Sequence, residues 1–441
     1  MSLGARRLKK HIPALAVGLW ITLGFVACGG SSKAGPASGL SNRVLASQGV
    51  TTNQNFGGLV IINGLNDTLP RVAPLGAGSS PGLMAISPTR NIVAAFDVSS
   101  NTVFASDTST EKAVGNVHLP GLTNSMVIPT AAGIGYAAVP NAVINGFSFL
   151  GAVAVMNFAT GGLATIAVPS AQTVVSNSTG TQLLVFSNDS DSMTVLSPGA
   201  AVPPVDTSCL STPNDSVCTI IPGFNRPVFA VINGTTAYVL NCGLQCGGTQ
   251  AASVAIFNLN TLTVTGTIPV DAATYALLNG STLYVAGTSP TNNACTGQKT
   301  AATTCGRLDV VDLNSGTVTA NYVITDGYHW RMDLGANGQL FVGARNCTNI
   351  GNVNIGGGEI RGCLTIFDSV NIKIIIPGDN GDVDGLQSFT SRFITYVAEG
   401  GNLRVYTTYG YQDGLLINDF VPFGTINIVG YVGDIKAIDF F

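Results

Sequence analysis

The densest run of chemistry-bearing side chains is Asp326-Gly327-Tyr328-His329-Trp330-Arg331-Met332-Asp333. A guanidinium beside aromatic rings suits an anion, a sugar or the centre of a protein interface. The competing reading is structural: Trp330 packs inside and Arg331 pairs with an Asp. Little else in the chain competes, since it has three His and two Trp. His118, in Val117-His118-Leu119, reads as a surface residue of an outer strand, and Trp20 falls in the N-terminal leader. Glu359 and Arg361, in a long loop downstream, supply the acid and base that a hydrolytic site beside His329 and Arg331 would need. Phe147 and Phe149 make another loop, Pro140 to Leu150, unusually apolar.

Two standard enzymatic templates are absent from the sequence: there is no HExxH and no P-loop. Nor is there a calcium loop signature, and no metal or cofactor is expected. The net charge is −4 and only 10% of residues are charged. Setting aside Arg6, Arg7, Lys9 and Lys10 with the leader makes the balance more acidic. An acidic, charge-poor chain excludes nucleic acid as the expected partner.

Of nine Cys, eight fall into neighbouring pairs: Cys209/Cys218, Cys242/Cys246, Cys295/Cys305 and Cys347/Cys363. An even count in an exported chain reads as disulfides, and local spacing favours these four. The rival, a metal site at Cys242 and Cys246, lacks a second pair or an adjacent His. Export itself is read from Met1 to Ala27, a basic start followed by an apolar run from Ile12 that is short for a membrane span. The run ends in Phe25-Val26-Ala27-Cys28, which resembles the lipobox of bacterial lipoproteins, with Phe25 where Leu is usual. The resemblance implies that Cys28 is lipidated and begins the mature chain. Residues 28–41, rich in Gly and Ser, then form a flexible tether, and residues 42–441 a folded domain.

That domain must position the candidate residues, and its pattern is all-β. Pro81 to Gly121 reads as four short strands separated by turns: Leu83–Ile86, Ile92–Phe96, Thr102–Ala105 and Val114–Val117. Variants of this meander recur. Central strand pairs such as Ala237–Leu240 with Val254–Phe257, and Leu340–Gly343 with Leu364–Phe367, number eight, about forty to fifty-five residues apart. Asn-Gly stands at one phase of three units, Asn233-Gly234, Asn279-Gly280 and Asn337-Gly338, as for tight hairpins with two positive-φ positions. The ends complement each other. Asn42–Ala46 looks like a second strand lacking a first, and Gly433–Asp439 like a first strand lacking a second. The expected fold is a β-propeller of four-stranded antiparallel blades, eight by the pair count with seven as the alternative. Its C-terminal strand closes the first blade and removes open edges.

The units are similar to the YVTN-type propeller repeats of bacterial surface and secreted proteins, through pieces such as Thr282–Gly287 and Leu308–Val318. That family includes lactonase-like enzymes and proteins that only bind. With strands running alternately down and up, the long loops 140–150, 242–248, 288–307 and 346–363 rise on one face, the top, where the segment around Trp330 also enters its inner strand. The leading expectation is a lipid-anchored, extracytoplasmic module binding an envelope protein or a glycan through that face, at His329, Trp330, Arg331, Glu359, Arg361, Phe147 and Phe149. The alternatives are a lactonase-like hydrolase and a structural envelope component.

Overall fold

The computed structural model describes residues 36–49, 57–144, 146–149, 151–199, 203–211, 217–289, 305–347, 363–377, 381–408 and 424–439. Helix is confined there to single turns such as Ser208–Ser211 and Gly243–Cys246. Short apolar runs interrupted every few residues by Gly, Asn or Asp leave no room for anything longer. The strands form eight antiparallel blades. Their inner strands are Tyr431–Ala437 (blade 1), Pro81–Ile86 (blade 2), Ser125–Val127 (blade 3), Ala171–Ser176 (blade 4), Pro227–Asn233 (blade 5), Tyr275–Asn279 (blade 6), Tyr328–Leu334 (blade 7) and Val383–Phe389 (blade 8). Each inner strand contacts the next, and blade 8 contacts blade 1, so the ring is closed.

The core is divided as a propeller requires. Eight separate clusters of buried side chains occupy the eight spaces between neighbouring blades. Middle strands are therefore covered on both faces: every residue of Ile92–Asp97 is buried, while the outer strand Lys112–His118 is mostly exposed. This two-sided burial explains why those middle strands read as continuous apolar runs and not as alternating ones.

Closure follows the complementary ends. Arg43–Gly49 pairs with Gly58–Asn63 on one side and with Tyr431–Ala437 on the other, with Leu45 opposite Lys436 and Ala46 opposite Ile435. Blade 1 is the short blade: beyond Gly58–Asn63 it has, among the described residues, two isolated bridges, Leu59 with Leu75 and Asn63 with Thr68. Charges lock the seam. The buried Arg43 donates from Nε to Asp439 Oδ2 (2.9 Å) and from Nη2 to Asp439 Oδ1 (2.8 Å). Its Nη1 reaches Glu111 Oε1 at 2.9 Å, on blade 2.

The Asn-Gly turns and the make-up of blade 3 depart from the sequence expectations, and the described disulfides agree with them. Among the Asn-Gly turns, two are centred one residue later. Asn233 pairs with Thr236 and Asn279 with Thr282, leaving Gly234-Thr235 and Gly280-Ser281 as the two-residue loops. Only the glycines have positive φ (59° and 60°), the placement of Gly in a type II′ turn. The third, Asn337-Gly338, has positive φ at both residues but in a longer loop. Blade 3 gains a fifth strand, since Val205–Asp206, from the excursion between the last two strands of blade 4, pairs in parallel with Gly162–Ala167. The disulfides Cys209–Cys218, Cys242–Cys246 and Cys347–Cys363 form as paired by spacing, with Cα separations of 5.5, 5.6 and 5.7 Å. Cys28, Cys295 and the side chain of Cys305 lie outside the described residues.

Candidate functional site

Inner strands run from the top face downward, so their first residues rim the mouth of the axial channel. In blade 7 the strand Tyr328–Leu334 carries a β-bulge: His329 faces Ala344 and Arg331 faces Gly343, with Trp330 unpaired between them. An extra residue breaks the period of two. Trp330 and Arg331 consequently both border the channel, while His329 turns away and is fully buried. Register shifts recur near the start of the inner strands of blades 1, 2, 4, 5 and 8, beside Gly433, Gly82, Gln172, Val228 and Asp384. The same device thus breaks the period of two near the start of the inner strand in six of the eight blades.

Trp330 is half-buried, and its Nε1 donates to the carbonyl of Val383 in blade 8 at 2.7 Å. The approach depends on Gly343, where a Cβ would lie 2.4 Å from a Val383 methyl. Two guanidiniums lie over the indole, Arg331 at 3.7 Å and Arg345 at 3.3 Å from the ring centroid. Two carbons that close to one centroid cannot share a face without overlapping, so the cations cover opposite faces. Each such contact is favourable because the ring face is electron-rich. Trp330 therefore offers its edge to the channel and holds two guanidiniums in place.

Asp384 gathers the rim. Arg345 donates to its Oδ1 from Nε (2.7 Å) and Nη2, and the Tyr431 hydroxyl donates to its Oδ2. Burial and this bond to a carboxylate hold the Tyr431 hydroxyl well above its ordinary pKa. Arg345 stands two residues before Cys347, so the Cys347–Cys363 bridge fixes the loop root that carries it. Deeper, Asp434 is fully buried. Its carboxylate accepts from the backbone of Met84 (2.9 Å) and Ile435 (2.8 Å) and from Lys436 Nζ (3.0 Å), with Arg331 Nη2 at 3.9 Å.

Two cavities meet at Trp330 and Arg345. The axial channel holds about 770 Å³ and is bordered by residues of all eight inner strands, Leu83, Met126, Phe229 and Tyr275 on one side and Arg331 and Lys436 on the other. A cleft of about 580 Å³ opens beside it over blades 8, 1 and 2, bordered by Asp382, Asp384 and Tyr431.

The sequence candidates separate. His329 leaves the candidate surface: its Nε2 faces the Thr325 carbonyl at 2.9 Å, its Nδ1 has no partner among the described residues, and burial lowers its pKa to about 4. Phe147–Phe149 forms a short hairpin with Ala142–Ile144 on blade 3, across the ring from blade 7. The backbone N–H of Val143 donates to the Pro120 carbonyl, which ties the hairpin to the rim beside blade 2. Glu359 and Arg361 lie outside the described residues. Sequence reasoning missed Arg345, Asp382, Asp384, Tyr431 and Lys436. The signal for Arg345 was available: the second strand of a blade runs upward, so its last residue must end beside the first residue of the inner strand.

No protein-family model and no curated protein matches the chain. Solved structures do: 1196 chains match, too many for likeness to speak of more than architecture. One is a structure of the Dos1 propeller, 9% identical with a TM-score of 0.56, covering 80% of this chain and 86% of that one. Another is dihydro-heme d1 dehydrogenase NirN in complex with DHE, 13% identical with a TM-score of 0.55, covering 84% and 71%. A third is the periplasmic gluconolactonase PpgL of Pseudomonas aeruginosa, 13% identical with a TM-score of 0.48, covering 90% and 98%. The first two share the fold of this chain.

Proposed function

We propose that the chain is a lipid-anchored, extracytoplasmic propeller that binds a glycan at the top mouth of its channel. One observation carries this reading: a half-buried Trp330 fixed between two guanidiniums, where two cavities meet. The volume of the channel falls within the range of about 300–1,000 Å³ typical of small-ligand clefts. Its concavity suits a sugar better than a flat protein interface of about 800 Å² per partner. The hydrolase alternative needed His329 in the channel, and its ring is buried behind the rim.

The test is capture of envelope polysaccharide by the immobilised protein. Trp330→Ala frees both guanidiniums and should weaken capture by about 2 kcal/mol, the loss typical of a central aromatic. Wild-type capture by a correctly folded Trp330→Ala protein would refute the site.

The anchor is tested separately. Disulfides fit an oxidising compartment, and the leader fits export with lipid on Cys28. Among the described residues no helix is long and apolar enough to cross a membrane. Cys28→Ser should move the protein from the membrane to the soluble fraction on cell fractionation. Unchanged membrane retention would count against lipidation.

A further inference from the structure

The polarity of the channel wall goes beyond the presence of a pocket. Arg331, Arg345 and Lys436 border the channel, and no described carboxylate does. The carboxylates that balance them are turned elsewhere. Asp434, with none of its side chain exposed, is occupied by two backbone N–H groups and Lys436. Asp384 borders the neighbouring cleft and is engaged by Arg345 and Tyr431. Arg331 has donors to spare: its hydrogen bonds go to the Asp384 carbonyl (3.2 Å) and the Trp330 carbonyl (3.4 Å), and Asp434 lies beyond hydrogen-bond reach at 3.9 Å. Arg331 and Lys436 keep 18% and 22% of their side chains exposed, flanking one buried carboxylate from the channel side.

The wall on blades 5 and 6, next to Arg331, is of another kind. Phe229 and Tyr275 stack there at 4.5 Å with an interplanar angle of 23°, and Leu83, Met126 and Val228 add further apolar lining around the channel. A ligand matching both walls has an acid group for the cations and a ring body whose C–H face packs on the aromatics. A guanidinium with free parallel donors prefers carboxylate or phosphate oxygens to hydroxyls. We infer that the channel takes an acidic saccharide, its carboxylate or phosphate seated between Arg331 and Lys436 and its ring against Phe229 and Tyr275. This rests on the glycan reading above and adds the charge of the ligand.

Trp330 is the natural reporter. In the full chain carrying Trp20→Phe, held in detergent, it is the one indole, and its emission can be quenched at fixed ionic strength by iodide or by caesium. A cationic channel concentrates anions, so the iodide-to-caesium ratio of quenching constants should exceed that of free N-acetyltryptophanamide by about threefold or more. Lys436→Gln should narrow the ratio, as should Arg331→Gln if it folds by circular dichroism. A wild-type ratio no greater than that of the free amide would overturn the inference. Trigalacturonate, glucose 6-phosphate and maltotriose are then titrated. Protection from iodide by trigalacturonate alone supports a carboxylate ligand, by glucose 6-phosphate alone a phosphate ligand, and by both the shared anion site. Equal protection by maltotriose overturns the acidic class and leaves the glycan reading standing. Failure of all three to protect overturns both.

Discussion

A chain ending at Gly430 will fail to form a monodisperse propeller. The truncation removes Tyr431–Ala437, the inner strand of blade 1, and exposes the edge of Arg43–Gly49. Val432 and Ile435 are fully buried and Ile438 nearly so, each contributing about 1.5–3 kcal/mol of burial. Asp439 goes as well, and with it the paired hydrogen bonds of a buried Arg43. Breaking a buried ion pair costs about 3–5 kcal/mol by itself. These losses together consume most of the roughly 5–15 kcal/mol by which proteins are stable, and the open edge invites association. The truncated protein should elute as aggregate and unfold in urea without a cooperative transition. Arg43→Met is the milder form: it leaves Glu111 and Asp439 without their guanidinium and should cost about 3–5 kcal/mol. A truncated chain that elutes as the wild type and unfolds cooperatively would disprove the closure argument.

The ring was legible because its cause is repeated locally. Each blade needs two middle strands covered on both faces, so each writes two apolar runs a turn apart, and eight pairs give eight blades. Closure was legible because a strand without a partner at one end matches a missing strand at the other. The parallel pairing of Val205–Asp206 was not legible, because two residues in a long excursion carry no period of their own. The shift of the Gly234 and Gly280 turns was hidden for a similar reason. Asn-Gly marks a turn, but the cross-strand register decides which of its residues is paired.

The candidate site was read from one segment, and the face that segment presents was misread. A period of two seats His329 and Arg331 on one side of the strand; the bulge at Trp330 breaks that period, withdraws His329 and brings Trp330 and Arg331 to the same channel. The remaining members come from three blades. Arg345 ends a second strand, Asp384 enters blade 8, and Tyr431, with Lys436, belongs to the closing strand. No spacing in the sequence links them, since it is ring geometry that brings them together.

Two buried groups away from the channel should give this protein opposing pH dependences between about pH 4 and pH 7. His329 is held neutral in a fully buried site, with its pKa lowered from 6.5 to about 4 mainly by burial. As pH falls from 6.5 toward 4 the unfolded chain takes up a proton that the folded one refuses, so stability is lost, by about 3 kcal/mol at 1.36 kcal/mol per unit. Asp309 behaves in the opposite sense. It lies in the third strand of blade 6, 1% exposed, and accepts a hydrogen bond from the backbone of Asp271 at 2.8 Å. Burial, aided by the neighbouring Asp271 charge, raises its pKa from 3.8 to about 7 against the opposing pull of Arg307. As pH falls from 7 toward 3.8 the folded chain gains a proton first, so stability rises, by about 4 kcal/mol. The wild-type profile should therefore be nearly flat in this window as far as these two groups decide it. His329→Gln, which keeps a donor for the Thr325 carbonyl, should leave the Asp309 slope exposed: a protein that becomes more stable, relative to the wild type, on acidification from pH 7 to pH 4. Asp309→Asn should do the reverse and make acidification more damaging. The measurement is the urea midpoint of the three proteins across that range. Parallel profiles for all three would show that neither group is held as the buried geometry requires.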